Sequence, residues 1–145
     1  MNKALAVVLL AASTAVACAS SSEKADVDPC KLLSSEALSR AGVTEGEYSA
    51  GLRERDCQYR DAGGSVVVTV GPVDEQEFES FAADGAFQRL NGDPDVLYRT
   101  TSTGGSVVAR LGDGEVVFLG AYLLGRTDPE RVQILARLAA DLRRR

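Results

Sequence analysis

The sequence contains no histidine and no tryptophan, one methionine, one isoleucine (Ile134) and three lysines among 145 residues. Without histidine there is no Ser-His-Asp triad, no Cys-His pair and no imidazole-ligated metal. A base working near neutral pH would have to be a strongly perturbed carboxylate or lysine. Thirteen arginines carry most of the positive charge, and the net charge is −5. An acidic chain lacks the electrostatic footprint of a nucleic-acid binder, so no nucleic-acid partner is expected. Anionic headgroups would also repel it, so any membrane contact must come from something other than a basic patch.

A long hydrophobic run is also missing. Residues 4–19 are uncharged, which makes 16 positions, fewer than the roughly 20 that span a bilayer. Following Met1-Asn2-Lys3 and followed by Ser20-Ser21-Ser22-Glu23-Lys24, this run has the layout of a secretory leader. Ala15-Val16-Ala17 fits the small-x-small rule of ordinary signal peptidase. Ala15-Val16-Ala17-Cys18 also resembles a bacterial lipobox, with Ala15 in place of the usual leucine. The expected organisation is a lipoprotein signal peptide (1–17), a flexible tether (18–27) and a single domain (28–145). The tether residues Ala19 to Val27 are rich in Ser, Ala and charge and reach at most about 30 Å.

Three cysteines is an odd number for an exported protein. If Cys18 carries the lipid, Cys30 and Cys57 remain to pair, in a compartment that permits oxidation. They stand 27 positions apart and lack the C-x-x-C spacing of a redox-active pair. Two thiolates alone make a poor zinc site. Cys18 is thus the expected lipidation site and Cys30–Cys57 the expected disulfide, with no metal, cofactor or catalytic residue assigned.

Along the domain, Asp28-Pro29 opens and Gly42 closes a short helix, in one or two pieces, with Ser34 as an internal cap. Residues 43–54 give no clear pattern. Residues 55–60 and 65–70 alternate and are joined by Asp61-Ala62-Gly63-Gly64, which reads as a hairpin. A second helix is expected over 74–90, followed by strands at 96–101, 106–111 and 115–122. Gly112-Asp113-Gly114 forms the last tight turn. Asp128-Pro129 opens a third helix, with Asp128 as cap and an apolar stripe of Val132, Leu135, Leu138, Ala139 and Leu142. The expected fold is α+β: an antiparallel sheet of about five to six strands flanked by three helices.

Asp28-Pro29-Cys30-x-Leu32-Leu33 before a short helix, then Cys57-x-Tyr59 on a strand, resembles an actinobacterial family of small secreted lipoproteins of unknown function. That family usually has Trp where this chain has Tyr59. The element order is similar to that of Mog1/PsbP-like sandwiches. The resemblance implies an envelope location and a disulfide, and no activity. No catalytic or ligand-binding residue is carried over.

Residues 61–95 hold eight acids and one base, Arg89. They read as a solvated face or, alternatively, as a surface for a cation or a basic partner. Glu75 and Glu79 are an i,i+4 like-charge pair that needs a neutralising neighbour. Phe78, Phe81, Phe87 and Phe118 read as core. Together these features predict a lipid-anchored binding or accessory module on the extracytoplasmic face of the cell membrane. It would be attached through palmitate-type acyl chains, with an unidentified protein or small-molecule ligand. An envelope hydrolase using paired carboxylates and a structural partner-clamping protein are the alternatives.

Overall fold

The computed structural model describes residues 27–50, 55–112 and 114–144. The stretch read as leader, Cys18, the expected tether up to residue 26, and Asp113 of the expected last turn lie outside the described residues. Seven antiparallel strands form one sheet in the order β1-β2-β3-β7-β6-β5-β4. They are β1 (Glu45–Ala50), β2 (Arg55–Asp61), β3 (Gly64–Pro72), β4 (Gln88–Arg89), β5 (Val96–Thr101), β6 (Gly104–Arg110) and β7 (Glu115–Leu123). The helices are α1 (Ser35–Ala41), α2 (Glu75–Ala83) and α3 (Asp128–Leu142). The α+β class, the antiparallel sheet and the three helices are those expected from sequence. Six strands have six to nine residues, and the seventh, β4, is a two-residue edge.

Alternation along the strands decides which residues each face receives. Val66, Val68 and Val70 of β3, Val107 and Ala109 of β6, and Val117, Leu119 and Leu123 of β7 point to one side and are buried there. On that side α3 presents Ile134, Leu135, Leu138, Ala139 and Leu142, and α1 presents Ala37, Leu38 and Ala41. Burying each large aliphatic side chain stabilises the fold by roughly 1.5–3 kcal/mol. The opposite side holds a smaller, aromatic cluster: Phe78, Phe87, Leu97, Val108 and Val116, with Phe81 and Phe118 against it. β6 contributes to both clusters and is buried on both faces over Val107–Ala109.

The first helical segment comes in two pieces. Asp28 Oδ1 accepts the Cys30 N–H at 2.9 Å and caps a 3-10 turn, Pro29–Lys31. Ser34 caps α1 by accepting the Ala37 N–H at 3.2 Å, and Gly42 ends it in the left-handed conformation at φ 78°. Ser34 is itself fixed from a distance, since its N–H and Oγ–H both donate to Asp141 Oδ2 of α3, at 2.9 and 2.5 Å.

Four expectations are corrected. The unassigned stretch 43–54 contains β1, whose register opposite β2 runs from Glu45↔Arg60 to Ala50↔Arg55. α2 ends at Ala83, not at residue 90. Asp84 leaves the helical region and its carboxylate accepts the Ala86 N–H at 2.9 Å, turning the chain toward β4. The cap of α3 is Thr127, one residue before Asp128. The Glu130 carboxylate accepts both the N–H (2.7 Å) and the Oγ–H (2.9 Å) of Thr127. Finally, Val132 is exposed and Arg131 and Ile134 take its place on the inner stripe. Counting back from Leu138, a seven-residue step lands on 131, whereas 132 falls off the stripe.

Candidate functional site

Of the three sequence-assigned cysteines, the fold brings two together. Cys30 in the 3-10 turn and Cys57 in β2 form a disulfide with a Cα–Cα separation of 5.1 Å. Cys18, the expected lipidation site, lies outside the described residues. Val27, assigned to the tether, already packs against the larger core. Among the described residues no helix is long and apolar enough to cross a membrane, and no group of three or more metal-ligating side chains converges.

Cys57 is fully buried, and two positions on along the same face Tyr59 is nearly so. The Tyr59 hydroxyl donates to the main-chain carbonyl of Cys30 at 2.9 Å. Burial, with the nearby Asp28 carboxylate adding to it, pushes the phenol above its ordinary value of 10.0. The sequence showed the cysteine pair and the aromatic residue, but not that both hold the same residue.

The sheet's two faces are covered unequally. α1 and α3 cover one face, whereas α2 covers only the part of the other formed by β5, β6 and the start of β7. Among the described residues, the rest of that face includes Gln58 of β2, Val67 and Thr69 of β3, and Gly120 and Tyr122 of β7. Gly120 and Tyr122 are exposed, and the others are half-buried. Gly120 leaves open space above it, between Val67 on one side and Ser106 of β6 on the other. Asp56 stands at the β2 margin of this surface with one carboxylate oxygen buried and unpaired among the described residues. Arg99 on β5 lies over the Phe87 ring, its Cζ 4.9 Å from the ring centre. The surface mixes amide, hydroxyl, aromatic and aliphatic groups.

The acidic stretch is partly explained from within the chain. Arg110 of β6 meets Glu75 at 2.6 Å, Asp95 at 3.0 Å and Glu79 at 4.0 Å, and its guanidinium lies 4.3 Å above the centre of the Phe78 ring. It is the neutralising neighbour that the Glu75/Glu79 pair required. Partial burial works against the Arg110 charge, but Glu75 and then Asp95 outweigh it and hold the guanidinium above its usual value. Arg143, after α3, binds Asp93 at 2.8 Å and Asp95 at 3.7 Å. Glu75, Asp95, Arg110, Leu111, Gly112 and Arg143 surround an open groove of about 360 Å³. Both of its carboxylates are engaged by arginines, Glu75 by Arg110 and Asp95 by Arg110 and Arg143.

A second open groove, of about 280 Å³, lies between α1 and α3 and is lined by Ser39, Arg40, Arg126, Glu130, Gln133 and Ile134. Glu130 sits below the ordinary carboxylate range because it accepts the N–H and then the hydroxyl of Thr127, helped by Arg126. A general acid needs the opposite shift.

The aromatic residues Phe78 and Phe87 are buried, and Phe81 packs edge-on to Phe87 and Phe118 with ring centres 5.3 and 5.9 Å apart. They form the smaller core, as their sequence pattern suggested. No protein-family model, no curated protein and no solved structure matches the chain.

Proposed function

We propose that the protein is a lipid-anchored lipoprotein on the extracytoplasmic face of the cell membrane, acting as a non-enzymatic binding or accessory module of the envelope. The observation that carries this reading is the partition of its cysteines. Cys30 and Cys57 are joined inside the fold, which leaves Cys18, directly after Ala15-Val16-Ala17, as the one cysteine outside the bond. A structural disulfide suits an exported protein. A cysteine at the end of a short uncharged leader suits thioether lipidation, and more than one acyl chain makes such an anchor stable. The part of the sheet that α2 does not cover, around Val67, Gly120 and Tyr122, is the surface offered to a protein or small-molecule ligand. Binding is favoured over catalysis because the carboxylates lining the two grooves are held by arginines or by the Thr127 cap.

Metabolic labelling with a palmitate analogue tests the anchor. The expected result is incorporation into the full chain and a membrane-bound protein, with both lost in Cys18→Ala. A Cys18→Ala protein that stays on the membrane would sink the lipid reading.

A further inference from the structure

Four residues, Cys30, Gly46, Cys57 and Tyr59, meet near the first of the described residues. Cys30 is bonded through Sγ to Cys57 and held through its carbonyl oxygen by the Tyr59 hydroxyl at 2.9 Å. Both partners belong to β2, which is paired on one side with β1 and on the other with β3. Gly46 of β1 stands opposite Tyr59 in the register. A Cβ at Gly46 would lie 2.6 Å from the Tyr59 ring and 2.9 Å from Cys57 Sγ, so only glycine leaves room for ring and sulfur together. Cys30 is therefore fixed at two atoms by one interior strand. Four residues further on, Ser34 has its own long-range attachment to Asp141, on the buried side of α3. Between these two fixed points the chain is held by burial of Leu32 and Leu33, with Lys31 reaching outward, its side chain 77% exposed.

We propose that this node is a redox-sensitive tether clamp. It fastens the root of the N-terminal segment to the sheet, and opening the disulfide releases residues 27–33 while the sheet, α1 and α3 stay folded. Its role in keeping the domain on the membrane rests on the lipid-anchor reading; the release itself does not. The opening step consumes a dithiol. The Cys30–Cys57 S–S bond breaks, the dithiol supplies two electrons and two protons, two thiols form, and the dithiol becomes a cyclic disulfide. What then ties Cys30 to β2 is the hydrogen bond from Tyr59; the Asp28 cap and the burial of Leu32 and Leu33 oppose the opening, and Ser34 marks where the loosening stops. While the bond is intact, residues 27–33 cannot leave β2 unless β2 itself opens; once it is broken, they can open locally with the sheet still folded.

The test uses the full chain, oxidised, treated with dithiothreitol, and as the Cys30→Ser/Cys57→Ser double variant. Trypsin cleavage after Lys31 and hydrogen exchange resolved along the chain are followed together. The expected result is cleavage at Lys31 at least about tenfold faster after reduction, with β3 and β7 amides keeping their protection. Equal loss of protection across the sheet would make the bond a general stabiliser and overturn the clamp. Unchanged cleavage and exchange at 27–33 would overturn it as well. Tyr59→Phe, with the disulfide intact, should speed cleavage by a smaller factor, about two- to fivefold, as expected for one hydrogen bond. The same series in the Cys18→Ala background reports on the clamp alone, while membrane attachment of the parent reports on the anchor alone.

Discussion

The two faces of the sheet are built from different materials. Under α1 and α3 the core is aliphatic, continuous and closed, and a disulfide and the Ser34–Asp141 link tie its elements across long stretches of chain. Under α2 the core is aromatic and small, and ionic groups frame it: Arg110 over Phe78 and Arg99 over Phe87. α2 has nine residues where α3 has 15, and among them Phe78 alone is fully buried. The first face supplies most of the stability. The second has the smaller buried cluster, and among the described residues it leaves Gln58 of β2 and Val67 and Thr69 of β3 half-buried.

The largest effects should come from removing one anchor on each side. Leu138→Ala should cost about 2–5 kcal/mol and Phe78→Ala about 3–5 kcal/mol in urea unfolding. Their local signatures should differ. Hydrogen exchange in Phe78→Ala should rise first in α2 while β3 and α3 stay protected, whereas Leu138→Ala should raise exchange in all three together. If Phe78→Ala loosens α3 as much as α2, the two faces are one cooperative unit and the contrast fails.

Some of this contrast could be read from sequence. The aromatic cluster and the α3 stripe are both visible as periodic patterns, and the strands β2, β3, β5, β6 and β7 follow from β-branched alternation. β1 was hidden because Glu45-Gly46-Glu47-Tyr48-Ser49-Ala50 has little strand propensity; it exists by pairing with β2. The end of α2 was misplaced because Phe87 reaches Phe81 by a turn at Asp84, not by helical spacing, and lands on the same cluster. The cysteine pair was legible because only two candidates remained for it. The Tyr59–Cys30, Ser34–Asp141 and Arg143–Asp93 contacts were not, because each depends on which strands and helices the topology sets side by side.

A middle-sized effect sharpens the ionic side. Arg110→Gln removes the partner of Glu75, Glu79 and Asp95 and the cation over Phe78, and should cost about 1 kcal/mol at low salt. Part of that cost should vanish in about 1 M salt, where exposed ion pairs are screened. A salt-independent loss would mean that packing on Phe78, not charge, holds Arg110 in place.

The smallest effect is a pH dependence at the start of α3. Glu130 is more acidic in the folded chain than its ordinary value of 4.5, so the folded state favours its ionised form. Its contribution is present above that ordinary value and is lost as the pH falls through the lowered one. Thermal unfolding followed from pH 6 down to pH 3 should show a shallower acid decline in Glu130→Gln than in the parent. Parallel curves would show that the cap does not depend on charge.

The strand order has a consequence for how the molecule assembles. β1-β2-β3 and β4-β5-β6-β7 are two meanders, each made of neighbours in sequence, and they are joined by a single seam, β3 against β7. At that seam Val67 meets Gly120 across more than fifty intervening residues. Each meander can form from local hairpins, but the seam must wait for the last strand. Closure of that long loop is therefore the slow, non-local step of folding. A chain emerging N-terminus first would hold its first three strands beside an unfilled edge until β7 arrived.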